Sequence, residues 1–498
     1  MILILFASAF SMHSIALAAS TCASVVSEAK SILSPEVRQA LPELEASQPV
    51  ILGKGNDAVL VHNRWVAEQL KAMEGANGLP IAEKFAGFSV DLHNKGVMDV
   101  IQTQEGYVPA AANGNHHGNY GNFVWYRDLA RVIVGLRALP HLLQKSYRTL
   151  HQPDKGLIDK TLFAAKKLSQ AMLSLFAEKE QIERTLHGIK DPAWHLDPQD
   201  GFRNVIFIRQ KLEPRLIGHT LSPQDIDEES HWSHKQNDAL ALYGHSILDG
   251  IESGETDPDS LDPNVKAELI FLSSYFQRLR FYEMWDSGAW EELNGLRTSS
   301  VNLALSFLER FEKGWNNQTN PISKEDLFLA QLRKSFESDE FKAYLSNFLQ
   351  STSMGYSAEE AYATLADSLK QIPDSIHQAY SLVFKGLGIS TDSLDKRIYS
   401  KLAEVTKGPL RNDDAALLHL LLYPPQGVLI EDQLYILGEI EKNLVKPSGV
   451  NRYVNDWFIH FTTVMNPKTE GQLPFSPNLI AIQDEQGQVV AATEEMRR

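Results

Sequence analysis

The chain has 498 residues, of which 43% are hydrophobic and 22% charged, enough to bury a substantial core as one large domain or two to three ordinary ones. Its 47 Lys and Arg against 63 Asp and Glu leave a net charge of −16 with no basic run. That excludes nucleic acid and anionic membrane surfaces as partners, since both need a positive patch. A lone cysteine, Cys22, excludes an intramolecular disulfide.

The first residues, MILILFASAFSMHSIALAAS, carry no charged side chain and include Ala16-Leu17-Ala18, a small-x-small pattern that predicts a secretory signal over 1–18 and a secreted or periplasmic protein, with an apolar first helix or an uncleaved anchor as the alternative. Cys22 follows Thr21, which fits lipoprotein processing poorly. No later run approaches the ~18 apolar residues of a membrane-spanning helix. Residues 19–56 read as a leader segment.

From there apolar residues recur at helical spacing in 57–74, 127–144, 158–179, 237–251, 264–281, 300–313, 327–338, 360–372, 413–424 and 432–444. Loops such as NGNHHGNYGN (113–122) and SGETDPDSLDPN (253–264) separate them. Strand-like alternation is confined to short pieces, for example RNVIFIRQKL (203–212). With no linker composition and no fixed-period repeat, the expectation is one all-α domain of stacked hairpins over 57–460, followed by an atypical tail over 461–498.

Four segments carry residue types suited to chemistry. In YGNFVWYRDLA (120–130), Trp125, Arg127 and Asp128 mark a loop-to-helix junction. An indole can stack on a sugar ring while Arg and Asp bond its hydroxyls, although a buried aromatic beside an Asp in a favourable first turn has the same appearance. HWSHKQNDALALYG (231–244) repeats that pattern with Trp232, Gln236 and Asp238, where ordinary capping is the plain alternative. In FYEMWDSGAWEELNG (281–295), Glu291 and Glu292 follow Trp290. Neighbours on a helix point about 100° apart, so at most one of the two can serve a single scissile atom; a charged first turn is the alternative. NRYVNDWF (451–458) offers Arg452 and Tyr453, or else a surface loop with an aromatic anchor.

The histidines at 116, 117, 231 and 234 lack zinc-ligand spacing, and DPDSLDPN lacks the Gly and terminal Glu of a calcium loop. The sequence therefore predicts no metal and no cofactor, and reads the acidic loop as a helix entry.

In order along the chain, these segments resemble glycoside hydrolase family 15, the glucoamylases, and the related phosphorylase kinase α/β subunits. WYRD (125–128) is similar to the family's Trp-x-Arg-Asp motif, preceded by the loosely similar IQTQEGYVPAA (101–111). Trp232, Gln236 and Asp238 match its Trp-x-x-x-Gln-x-Asp motif, and WDSGAWEEL with GLRTSS matches the general-acid segment. DDAALLHLLLYP and RYVND resemble two later motifs.

The resemblance runs from about residue 98 to 460 and implies an (α/α)6 toroid of helical hairpins, with loss of its last helices left open. It implies inverting hydrolysis of terminal α-glucosidic bonds in an α-glucan, with release of glucose. Glu291 would be the general acid, Glu292 a substrate contact and Trp290 a desolvating wall. Trp125, Arg127, Asp128, Trp232, Gln236, Asp238, Arg452 and Tyr453 would bind sugar.

An inverting hydrolase also needs a second carboxylate roughly 6.5–9.5 Å from the acid to activate water. No motif marks it: Glu494 and Glu495 sit in a tail with strand or loop character. Three readings stay open: a chain lacking the closing helices, a different carboxylate recruited as base, and a glucan-binding or regulatory protein without turnover. Trehalose or dextran as substrate is a further alternative.

Overall fold

The computed structural model describes residues 50–52, 59–61, 106–109, 123–146, 155–193, 205–211, 234–290, 295–317, 321–393, 396–407, 411–446, 449–453, 481–483 and 489–491. The described chain is predominantly helical and the fold is all-α. Its helices are α1 (Tyr126–Ser146), α2 (Lys155–Phe176), α3 (Lys179–Lys190), α4 (Asn237–Ser253), α5 (Pro263–Arg278) and α6 (Thr298–Asn316). They continue with α7 (Lys324–Phe336), α8 (Asp339–Gln350), α9 (Ala358–Lys370), α10 (Ile372–Gly386), the four-residue α11 (His419–Leu422) and α12 (Ile430–Leu444). None of these helices is long and apolar enough to cross a membrane.

Burial sorts the helices into two kinds. Residues 237–248 of α4 and 298–308 of α6 are buried without interruption, and α5 is buried over 267–277. A helix covered on all sides must lie inside the molecule. In contrast α7, α8, α9, α10 and α12 alternate buried and exposed positions and lie outside with one apolar face inward.

The interior pair comes very close: a Cβ on Gly244 of α4 would lie 2.4 Å from the Phe307 ring of α6, so only glycine fits there. Around this pair α1 packs on α2 and α4, α6 on α7 and α10, and α5 on α3 and α9.

The outer helices start where the sequence supplies local caps. Ser323 accepts from the Asp326 N–H, Ser338 from Phe341, and Ser357 forms a capping box with Glu360. The DPDSLDPN stretch is the helix entry its composition implied: Asp257 caps a 3-10 turn and Asp262 caps α5, with Pro263 in the first helical position.

Three helices, α3, α8 and α10, were not anticipated from periodicity, whereas the helix expected over 413–424 is broken. There a 3-10 turn, Ala415–Leu418, leads into the short α11, which ends at Tyr423 in a non-helical conformation. Pro424 and Pro425 follow, and the residue before a proline is pushed out of the helical region. The helix expected over 57–74 does not form at its start: β2 (Val59–Val61) is a strand paired antiparallel with β1 (Val50–Leu52), its Val-Leu-Val run suiting extended backbone. The rest of 57–74 lies outside the described residues, as does most of the leader and tail.

Short antiparallel pairs tie distant segments together near one end of the interior helices. Strand β3 (Phe123–Trp125) pairs with β4 (Arg209–Lys211), and β5 (Leu296–Arg297) with β6 (Val405–Lys407). Isolated bridges join Asp286 to Gly295 and Asp414 to Tyr453.

Candidate functional site

The N-terminal ends of α1, α4 and α6 are where the chemistry-bearing segments converge. At the start of α1, Arg127 Nη1 donates to Gln236 Oε1 at 2.5 Å and lies 3.9 Å from Asp238 Oδ2, although 109 residues separate Arg127 from Gln236. The same nitrogen reaches the carbonyl of Gly288 at 3.5 Å. Arg127 therefore links three of the four segments singled out in the sequence. Asp128 lies beside it, 3.8 Å from Nε, with its side chain about a third exposed at 35%.

The interior helices are capped from far away. The residues preceding α4 and α6, Gln236 and Arg297, make no side-chain cap of their own. Instead Asp286 accepts from the Asn237 N–H at 2.9 Å, and Glu404 accepts from the Ser299 N–H at 3.0 Å and its hydroxyl at 2.6 Å. A carboxylate is favoured there because a helix N-terminus presents unpaired N–H groups and positive potential. Arg297 lies between the two acids, 3.9 Å from Asp286 and 4.0 Å from Glu404.

Gly288 makes room for this arginine. It adopts φ +61°, and a Cβ there would lie 2.2 Å from Arg297 Cδ.

A third buried acid, Asp414, receives the Trp290 indole N–H at 2.7 Å and caps Ala416 at 2.7 Å. Arg411 approaches its other oxygen at 3.4 Å and stacks over Tyr453 at 3.8 Å. Arg452 lies 5.7 Å from the Trp290 ring, and Arg131 6.0 Å. Arg131 in turn contacts His419 Nε2 at 3.0 Å.

Burial governs the electrostatics. It raises Asp286 to about 7, with the charge of Asp238 adding to the shift, and raises Glu404 to about 8, with Asp414 adding. Burial also raises Asp414, against the opposing charge of Arg411. His419 is pushed well below its usual value by burial and then by Arg131 and Arg127, and is neutral near pH 7. Asp238 is fully buried, and neither of its carboxylate oxygens accepts a hydrogen bond; Oδ1 of Asp286 also lacks one. Unsatisfied buried acids of this kind oppose folding and mark a place where structure yields to another requirement.

The sequence-derived site residues divide accordingly. Arg127, Asp128, Gln236 and Asp238 are brought together, and Trp290, Arg452 and Tyr453 form a second group joined to the first through the 288–290 turn. Trp125 and Tyr453, each 2% exposed, are enclosed side chains, not open stacking platforms. Trp125 sits in β3 beside Phe123, with Arg209 shared between their rings at 5.4 and 4.1 Å. Glu291, Glu292 and Trp232 lie outside the described residues.

The next described helix after the two glutamates begins at Thr298. The structure on their N-terminal side is a 3-10 turn, Gly288–Trp290, and on their C-terminal side the Asp286–Gly295 bridge.

Sequence reasoning missed Glu404, Asp414, Arg411 and Arg131 as members of the site, and gave Asp286 and Arg297 no role. Asp286 and Arg297 stand in quoted motifs, so proximity to Trp290 was a usable signal. Glu404 has none: it lies in an irregular stretch and acquires its role only by folding onto α6. Among the described residues no group of three or more His, Cys, Asp or Glu is arranged to hold a metal.

The chain matches no protein-family model. It is similar to an uncharacterized lipoprotein, YgeQ, of Escherichia coli (strain K12), at 28% identity over 128 residues; the match covers 25% of this chain and 46% of that protein. The chain thus spans less than half the length of the curated relative it matches.

Proposed function

We propose that this protein is an exported glycoside hydrolase of glucoamylase type, releasing glucose from α-glucan ends with inversion on a toroid of helical hairpins. The observation that carries this reading is the convergence of segments distant in sequence. Arg127 touches Gln236, Asp238 and the 288–290 turn, and that turn carries Trp290 to the Arg452–Tyr453 loop. Directional charged donors beside the Trp290 indole suit a polyhydroxylated substrate, whose hydroxyls need bonds and whose ring face needs an apolar surface.

In this reading Glu291 donates the proton to the leaving oxygen. Trp290 desolvates it and so favours the neutral acid that must donate. Asp128, the partly exposed acid of the Arg127 group, bonds a substrate hydroxyl. The uncharged leader and the similarity to a protein named as a lipoprotein both support an exported, envelope-associated location.

One observation favours a second reading, a glucan-binding protein without turnover. A general base must meet the water it activates, yet Asp238, Asp286, Glu404 and Asp414 are each 0% exposed. The deciding experiment follows glucose release from maltooligosaccharides and from trehalose, with the anomer of fresh product read by NMR. Wild type should release β-glucose, and Glu291→Gln should lower kcat at least about a hundredfold. Equal rates for the two proteins reject Glu291 as the acid; tight glucan binding with no product establishes the second reading.

A further inference from the structure

We propose that Asp414 is a positioning residue that holds Trp290 against the Arg452–Tyr453 loop; its catalytic half rests on the glucoamylase-type reading, in which the next residue, Glu291, is the acid. Three independent attachments meet at this one side chain and its backbone. Oδ1 accepts the indole N–H of Trp290 at 2.7 Å and the backbone N–H of Ala416 at 2.7 Å. The backbone of Asp414 bridges to Tyr453, and the next N–H, from Ala415, donates to the Arg452 carbonyl at 2.7 Å. Arg411, at 3.4 Å from Oδ2, lays its guanidinium 3.8 Å over the Tyr453 ring.

The geometry assigns different work to each attachment. Capping Ala416 starts the 3-10 turn, which an Asp side chain two residues upstream can do anywhere on a surface. Nothing about capping requires a buried residue 124 positions from Trp290 to receive its indole N–H. That bond fixes the plane and position of a ring immediately before Glu291. The backbone bonds then reference the same point to the loop carrying Arg452, whose guanidinium lies 5.7 Å from the ring. A side chain that sets the distance between Trp290 and the Arg452–Tyr453 loop governs alignment in the proposed site, and an error of about 1 Å in alignment can lower a rate about a hundredfold.

The test is a double-mutant cycle in the full chain: Asp414→Ala, Trp290→Phe, both together, and Asp414→Asn. Each protein is checked for a single unfolding transition, and kcat and KM are compared per folded protein. The proposal expects Asp414→Ala to lower kcat about a hundredfold with a much smaller change in KM. The double variant should be no worse than the poorer single variant, since both remove one interaction. Asp414→Asn, which keeps an oxygen for the indole and the cap, should stay within about threefold of wild type. Losses that multiply in the double variant overturn the proposal.

Tryptophan emission separates this claim from the functional reading. The Asp414→Ala emission change should vanish in the Trp290→Phe background. If wild type releases no glucose, the hydrolase reading fails, and the emission cycle alone then decides whether Asp414 holds Trp290. An unchanged emission in Asp414→Ala overturns the positioning role in either case.

Discussion

The same two interior helices, α4 and α6, carry two charged clusters that differ in how fully they are satisfied. Midway along them, Arg310 reaches both oxygens of Glu325 at 3.0 and 2.6 Å and Asp249 at 2.9 Å. Asp249 also accepts from Tyr423, whose ring stacks on His245 at 3.8 Å. Arg310, Asp249, His245 and Tyr423 border a cavity of about 290 Å³, and Glu309 on its wall accepts from Tyr380 and the Gln426 N–H. At the N-terminal ends the ion pairs stretch to 3.9 and 4.0 Å, and Asp238 accepts no hydrogen bond.

Close bidentate pairing makes the first cluster a brace between helices, because each partly buried charge has its partner in contact. The second keeps unmet hydrogen-bonding capacity at a place where long-separated segments converge. Stability alone does not account for that arrangement.

The largest expected effect lies in the brace. Arg310→Met leaves Glu325 and Asp249 without their common cation and should lower unfolding free energy by about 3 kcal/mol in a denaturant titration. A loss below about 1 kcal/mol would erase the distinction between the clusters.

Next comes Asp238→Asn, which removes the charge that Arg127 faces at 3.9 Å without a hydrogen bond. Its stability should stay within about 1 kcal/mol of wild type, while maltooligosaccharide affinity by calorimetry falls about tenfold. A strongly destabilised variant with normal affinity would reassign Asp238 to the frame.

The smallest effect is on pH dependence. Glu404 at about 8 and Asp286 at about 7 stay protonated in the fold at pH values where an unfolded carboxyl, near 4, has ionised. Between those limits the folded state binds more protons, so the stability from these groups is complete at pH 4 and falls as pH rises through 7 to 8. Thermal unfolding at pH 5, 6.5 and 8 should show that decline, with a shallower slope in Glu404→Gln. A slope unchanged by the substitution would mean that Glu404 is already ionised at pH 5.

The outer helices were legible because their signals are local. Ser323, Ser338 and Ser357 each sit directly before the helix they cap, and the apolar period over 327–338 and 360–372 identified α7 and α9 to within a few residues. α8 and α10 went unread despite one clear cap, since only Glu337 and Ser338 separate α8 from α7 and only Gln371 separates α10 from α9. At the site, Arg127, Asp128, Gln236 and Asp238 could be nominated from their positions before apolar runs. Their mutual contacts could not, because no local pattern encodes a bond across 109 residues.

Sequence by itself determined the all-α class, the helix-entry role of DPDSLDPN, the acidic surface balance and the four segments to watch. Those follow from periodicity, capping chemistry and charge, each readable within a turn or two of chain. Only the tertiary structure decided that Asp286 and Glu404 cap α4 and α6, and that Asp414 holds Trp290. The reason is physical: a buried carboxyl is tolerated only where distant donors meet it, and those donors exist only after the helices pack.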